Sequence, residues 1–169
     1  MKKLFLAVGL ALFLVPTLAG AATNLQVVAQ GKVKGQTTDC AGIAQGCLSA
    51  AGTFKGRPMT GGTFTAKFTV DWTRAKKVNG ATCASGGGSV DLAGKAGDAL
   101  SLTATGTLCK GGSSSYPYRF NGHYNIVAGG GKYATDGVGS GNVSWQKLPG
   151  TRLNLNVVGS LKMTARPPQ

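Results

Sequence analysis

The sequence contains no glutamate and a single histidine, His123. Its five acidic residues are all aspartates, set against 18 lysines and arginines. General acid–base catalysis needs a positioned carboxylate or histidine with partners nearby, and a calcium site needs several oxygen ligands close together. The aspartates show no such grouping. The sequence therefore predicts no catalytic residue, no metal site and no cofactor.

Long hydrophobic segments are also scarce, and the clearest one lies at the N-terminus. Lys2 and Lys3 precede an apolar run of about 12 residues, shorter than the roughly 20 that a membrane-spanning helix needs. Pro16 and the small residues 19–22 follow, which is the layout of a secretory signal peptide. We expect residues 1–22 to be removed after Ala21 or Ala22, residues 23–169 to form one domain, and the protein to be secreted or periplasmic.

Helical periodicity is weak in the rest of the chain, whereas alternation of apolar and polar residues is clear. Residues 64–72 place an apolar side chain at every even position and a polar one at every odd position. Such a segment forms a strand with one dry face and one wet face. The same pattern predicts strands at 99–109, 116–128 and 153–163, and weaker ones at 25–33, 48–54, 89–93 and 138–145.

The predicted strands are joined by short turns, which connect antiparallel neighbours. Asn79-Gly80 is a hairpin signal of this kind. The edge strands of a sheet expose unpaired backbone N–H and C=O groups, and closure into a barrel removes these edges completely. Gly106, Gly122 and Gly159 on apolar faces suit barrel corners. We predict an all-β fold with a single antiparallel barrel of about eight strands; a two-sheet β-sandwich is the alternative.

Four cysteines follow the N-terminal segment: Cys40, Cys47, Cys83 and Cys109. An even number in an exported chain indicates disulfides, and three pairings are possible. We predict the sequence-local pairs Cys40–Cys47 and Cys83–Cys109. A zinc site would favour closely spaced pairs, which are absent from this sequence.

The net charge is +13, and +11 without Lys2 and Lys3. A basic protein attracts anions, so an anionic ligand or surface, such as a polysaccharide or lipid headgroups, is a candidate partner; solubility is the simpler explanation. If the barrel is hollow, a small apolar ligand is a further candidate partner. Nucleic acid is disfavoured, because aromatic residues interleaved with basic ones occur only at residues 116–119. The oligomeric state stays open.

His123 and Arg119 are the candidate ligand contacts. Both lie on the polar face of their predicted strand, together with Asn121 and Asn125. An exposed histidine on the barrel wall is the simpler interpretation. Were this face to line a cavity, Arg119 and His123 would hold an anionic ligand.

Residues 120–134 and 137–141 form a predicted strand, a glycine-rich turn ending in an aromatic residue, and a glycine-rich strand. This stretch resembles the allene oxide cyclase and dirigent-like barrels. The resemblance implies an eight-stranded antiparallel barrel, in some members with an internal ligand cavity. Gly129, Gly130 and Gly131 run together here, unlike the family pattern, and no aspartate lies in a matching motif, so no catalytic residue is carried over. Tyr133 is expected to plug one end of the barrel.

Three functions compete. The favoured one is a non-enzymatic exported protein that binds a ligand or serves in the cell envelope. The alternatives are a cyclase- or isomerase-like barrel enzyme with an internal cavity, and a small outer-membrane barrel. An interior filled by side chains would argue against both a small ligand and an enzyme.

Overall fold

The computed structural model describes residues 22–37, 45–133 and 138–162. The predicted signal peptide lies outside the described residues except for Ala22, as do Cys40, Asp39 and Asp136. The described secondary structure consists of strands joined by short connections, and three of these connections contain a three-residue 3-10 helix: Trp72–Arg74, Lys95–Gly97 and Gly131–Tyr133. The strands are β1 (Ala22–Thr37), β2 (Gln45–Arg57), β3 (Gly62–Asp71), β4 (Lys76–Val78), β5 (Ala81–Gly94), β6 (Ala99–Gly111), β7 (Tyr118–Gly130), β8 (Val138–Lys147) and β9 (Arg152–Lys162). No helix in these three ranges is long and apolar enough to cross a membrane.

Eight of the strands close into an antiparallel barrel. Neighbours follow the order β3-β2-β1-β9-β8-β7-β6-β5, and pairing between β3 and β5 completes the ring. Strand β4 stands outside the ring and pairs with the start of β5. The predicted single barrel of about eight strands is confirmed.

The two faces of the wall differ sharply in polarity. On β3 the even residues Phe64, Ala66, Phe68 and Val70 are buried and the odd ones are exposed. Aromatic rings fill the interior, with Phe68 4.9 Å from Phe120 and 5.4 Å from Trp145 between ring centroids. Away from the start of β7, the outer side of β6, β7 and β8 instead carries hydroxyl and amide side chains together with one histidine: Thr103, Thr105, Thr107, Asn121, His123, Asn125, Ser140, Asn142 and Ser144.

Glycines on the inner face make room for a large ring. Gly141 and Gly159 face each other across β8 and β9. A Cβ atom on Gly159 would overlap the hydroxyl oxygen of Tyr124, and one on Gly141 would lie 2.9 Å from its Cε1. The glycines predicted to serve barrel corners thus include one, Gly159, that admits the Tyr124 side chain.

One end of the barrel is closed by buried side chains. Met59, from the β2–β3 connection, and Tyr133, after β7, are each 1% exposed. Asp98 links the β5–β6 turn to the segment after β7. Its carboxylate accepts a hydrogen bond from the Lys132 backbone N–H at 3.2 Å and forms an ion pair with Lys132 Nζ at 2.9 Å. The hydrogen bond with Lys132 lowers the pKa of Asp98. Tyr133 is therefore buried at one end, where the sequence predicts a plug.

The predicted turn and disulfide are both present. Asn79 and Gly80 have φ angles of 47° and 77°, which allow the tight β4–β5 hairpin. Cys83 and Cys109 are disulfide-bonded directly across β5 and β6. Cys47 is also disulfide-bonded, while Cys40, its predicted partner, lies outside the described residues.

Candidate functional site: a cavity at one mouth of the barrel

The end of the barrel opposite Met59 and Tyr133 contains a cavity of about 170 Å³. Five of its wall residues are apolar and buried, and they come from β2, β3, β6 and β8: Leu48, Phe68, Val70, Leu108 and Trp145. Five more complete the wall towards solvent: Gly46, Cys47, Trp72, Lys110 and Tyr118. As far as the described residues show, the interior is filled along most of its length and open at one mouth, and we call this space the mouth cavity.

Two lysines stand at the rim in one row across three strands. Lys110 is in register with Tyr118, and Tyr118 with Lys147. Lys110 Nζ lies 4.6 Å from the ring centroid of Trp72, and Lys147 Nζ lies 5.8 Å from that of Tyr118. Cations hold such positions through attraction to the aromatic ring face. The mouth cavity is therefore apolar below and cationic at its rim.

Trp72 is held over the mouth by a local cap. Asp71 ends β3, and its carboxylate accepts a hydrogen bond from the Thr73 backbone N–H at 2.9 Å and another from the Thr73 hydroxyl. The hydrogen bond from the Thr73 hydroxyl contributes most, and with the backbone hydrogen bond it lowers the pKa of Asp71. A Cβ atom on Gly46 would lie 2.7 Å from Trp72 Nε1, so glycine lets the indole approach β2 closely.

Neither rim lysine forms an ion pair with a side chain in the described ranges. Among the described residues, the ion pair that forms joins Lys132 and Asp98 at the closed end. Further cations surround the mouth, and we call them, with Lys110 and Lys147, the basic collar: Lys32, Lys34, Arg74, Lys76, Lys77, Arg119 and Arg152. The collar leaves this end of the barrel strongly positive.

The indole N–H of Trp145, a residue of the cavity wall, is a buried hydrogen-bond donor. The Trp145 side chain is 1% exposed, and its indole nitrogen finds no hydrogen-bond partner among the described residues. A buried donor without a partner costs about 1–3 kcal/mol. The wall of the mouth cavity thus includes a donor that the barrel itself leaves unpaired.

The predicted contacts Arg119 and His123 lie on the outer wall of β7. His123 is exposed and lines an open depression with Thr107, Asn121, Asn142 and Ser144. Arg119 is half-buried in the basic collar. The polar face of β7 is therefore not a cavity lining, and neither residue borders the mouth cavity. Their role as ligand contacts stays a prediction.

Sequence reasoning missed Lys110 and Lys147, although their positions in the alternating pattern indicate that they lie at the mouth of the barrel. Both continue the apolar register of their strands, Lys110 after Leu108 and Lys147 after Trp145. A lysine at an inward position can only lie where the strand leaves the core, because its charge must reach water. Two such lysines on strands separated by one neighbour mark the mouth of the barrel.

Comparison with protein-family models and with curated protein sequences gives no match for this chain. In the part of the chain that the structure describes, no group of three or more histidine, cysteine or acidic side chains could hold a metal ion.

Proposed function

We propose that this is an exported, non-enzymatic binding protein that takes a small apolar group into the mouth of its barrel. The observation that carries the proposal is the apolar cavity of about 170 Å³. Its size is close to that of the engineered cavity of about 150 Å³ in a lysozyme that holds benzene. Export rests on the signal-like N-terminus, and the Cys83–Cys109 disulfide suits an oxidising compartment.

The chemistry of the lining supports binding. Phe68, Val70 and Leu108 offer an apolar floor, and a group that buries about 100 Å² there gains about 2.5 kcal/mol. That gain is smaller than the usual cost of association. The apolar floor selects the shape and polarity of the buried group, and contacts at the rim must supply the rest of the affinity.

The two alternative functions would need other arrangements. A cyclase or isomerase needs an acid–base group beside its substrate, whereas the mouth cavity presents apolar and aromatic side chains with Lys110 as its cation. A membrane barrel exposes apolar side chains to lipid, whereas Thr105, Asn121 and Asn142 are exposed on the outer wall. Both contrasts favour the binding proposal.

The chain offers a direct reporter for the test. Its two tryptophans, Trp72 and Trp145, both line the mouth cavity. Phenylacetate and its neutral isostere phenylacetamide are suitable probes, because each carries one benzene ring. We expect saturable, one-to-one changes in tryptophan fluorescence. We also expect nuclear magnetic resonance shifts of the Leu48, Val70 and Leu108 methyl groups.

Filling the cavity should abolish this response. Val70 is 5% exposed in the cavity wall, so Val70→Phe places a ring where the probe would lie, and Leu48→Phe does the same from β2. Val127→Phe is the matched control, because Val127 is 56% exposed on the outer wall. Circular dichroism checks the fold of each variant. The proposal is wrong if neither probe saturates the wild-type signal, or if both filled variants bind as the wild type does.

A further inference from the structure

We infer that the ligand of the mouth cavity is a small organic monoanion, with its apolar end in the cavity and its carboxylate or similar group between Lys110 and Lys147. This inference rests on the proposed function and adds the chemical class of the ligand. It follows from the positions of the two lysines, their charge balance and the size of the apolar space.

The first step is geometry. Lys110 and Lys147 occupy the same cross-strand row, with Tyr118 between them. Adjacent strands lie about 4.8 Å apart, so the two lysine backbones are separated by about 10 Å. Each side chain reaches several ångströms from its backbone, and both lean over rings of the same mouth. A single anionic group above the cavity is therefore within reach of both Nζ atoms.

The second step is charge. The rim cations interact with the faces of Trp72 and Tyr118 and form no ion pair among the described residues. The collar around them adds further positive charge. An anion at the rim would gain charge-assisted hydrogen bonds, which are stronger than neutral ones. A neutral group would leave the cations as they are, and a cationic group would be repelled.

The third step is the size of the effect. Lys110 is exposed and Lys147 is half-buried, so solvent weakens both contacts. Two partly exposed charge-assisted contacts of about 1 kcal/mol each correspond to a preference on the order of tenfold to thirtyfold. The cavity of about 170 Å³ limits the apolar part to one ring or a short alkyl chain.

The experiment compares three probes of one shape, namely phenylacetate, phenylacetamide and phenethylamine, by tryptophan fluorescence at about 0.15 M salt, where the Debye length is about 8 Å. We expect phenylacetate to bind at least about tenfold more tightly than phenylacetamide and phenethylamine to bind weakest. In the double variant Lys110→Met/Lys147→Met the preference for phenylacetate should fall below about threefold. Affinity for phenylacetamide should change little, because methionine keeps the apolar stem of the side chain.

A matched control is Lys76→Met/Lys77→Met. These two collar residues are exposed on β4 and do not line the cavity, yet their replacement removes the same charge. We expect this control to lower the preference by no more than about twofold, through weaker long-range attraction. Equal affinities of the wild type for phenylacetate and phenylacetamide would overturn the inference while leaving the proposed function intact. A full preference in the Lys110→Met/Lys147→Met variant would also overturn it. Failure of every probe to bind would refute the proposed function itself.

Discussion

Tyr124 shows how single residues set the character of the barrel interior. Its side chain is 1% exposed and lies over Gly159, whose missing side chain leaves space for the ring. The phenol oxygen finds no hydrogen-bond partner among the described residues. Burial raises the pKa of Tyr124 from its ordinary value of 10.0 to about 12. The phenolate form is therefore disfavoured in the folded protein.

This shift predicts a loss of stability at alkaline pH. The unfolded chain releases the Tyr124 proton near pH 10, while the folded barrel keeps it until about pH 12. The contribution of Tyr124 is fully present below pH 10. Between pH 10 and 12 the free energy of unfolding should then fall by about 1.4 kcal/mol per pH unit through this residue. Urea titrations at several pH values measure the slope.

The variant Tyr124→Phe should lose this slope and keep or raise stability at neutral pH, because it removes an unpaired buried hydroxyl. Tyr116→Phe is the control, since Tyr116 is 38% exposed. An identical alkaline slope in the wild type and in Tyr124→Phe would show that other groups cause the loss.

Among the elements, β5 and β6 are joined by the Cys83–Cys109 disulfide, which spans 26 residues. Both cysteines occupy the register of the outer wall, next to the inward residues Ala84 and Leu108. On the chain-entropy model, closing such a loop stabilises by about 3 kcal/mol. We expect Cys83→Ala/Cys109→Ala to lower the free energy of unfolding by about that amount, measured by denaturant unfolding. The fluorescence response of the mouth cavity should persist.

The matched control for this prediction is Ser85→Ala/Thr107→Ala, the next outward pair in the same register. These residues are exposed, so the control should change stability by less than about 0.5 kcal/mol. A similar loss in both double variants would assign the effect to the strand pair and not to the covalent link.

Element prediction from sequence succeeded where one face is apolar. The alternation in residues 64–72 matches β3 (Gly62–Asp71), and residues 99–109 lie within β6. It divided β5 into a strand starting near Thr82 and another at 89–93, because Gly86, Gly87 and Gly88 carry no side chain to show the alternation, whereas β5 runs unbroken through them. Strand β4 shows no alternation, since all three of its residues are exposed, but the Asn79-Gly80 hairpin signal predicts a strand that ends near Val78, and β4 ends there.

The mouth cavity lay beyond sequence reasoning for a different reason. Its walls include Gly46, Phe68, Leu108 and Trp145, which are distant in the chain. Which of these meet at one end depends on the register of every intervening strand pair, and a shift of one residue would reverse the face of each side chain. Phe68 and Trp145 fill the core, and they also line the cavity wall.

At the scale of the whole molecule, the excess positive charge is unevenly placed. Away from the mouth, the outer side of β6, β7 and β8 carries hydroxyl and amide side chains with one histidine, His123, whereas the basic collar, which includes Arg119 of β7, surrounds the mouth. A concentrated potential at a binding site attracts oppositely charged ligands over distances comparable with the Debye length. The concentration of cations in the collar thus supports the proposed capture of an anion at this end of the barrel.

This placement predicts that the rate of association depends on where on the barrel the positive charge lies. Lys76→Gln/Lys77→Gln, at the mouth, should slow the binding of phenylacetate about twofold at about 0.15 M salt, because it weakens electrostatic steering. The dissociation rate should change little, since neither residue borders the cavity. Temperature-jump relaxation of tryptophan fluorescence measures both rates. In about 1 M salt the Debye length shrinks to about 3 Å, and the variant should bind as fast as the wild type.

The control for this last prediction alters the same charge at the other end. Lys95 lies in the β5–β6 turn and Lys162 ends β9, both at the end closed by Tyr133. If net charge alone governed association, Lys95→Gln/Lys162→Gln would slow binding as much as the mouth variant does. If the collar steers the anion, this control keeps the wild-type rate, because its charges lie more than two Debye lengths from the mouth at about 0.15 M salt, given strands roughly 30 Å long. Equal slowing by the two variants would therefore refute capture at the mouth by local charge.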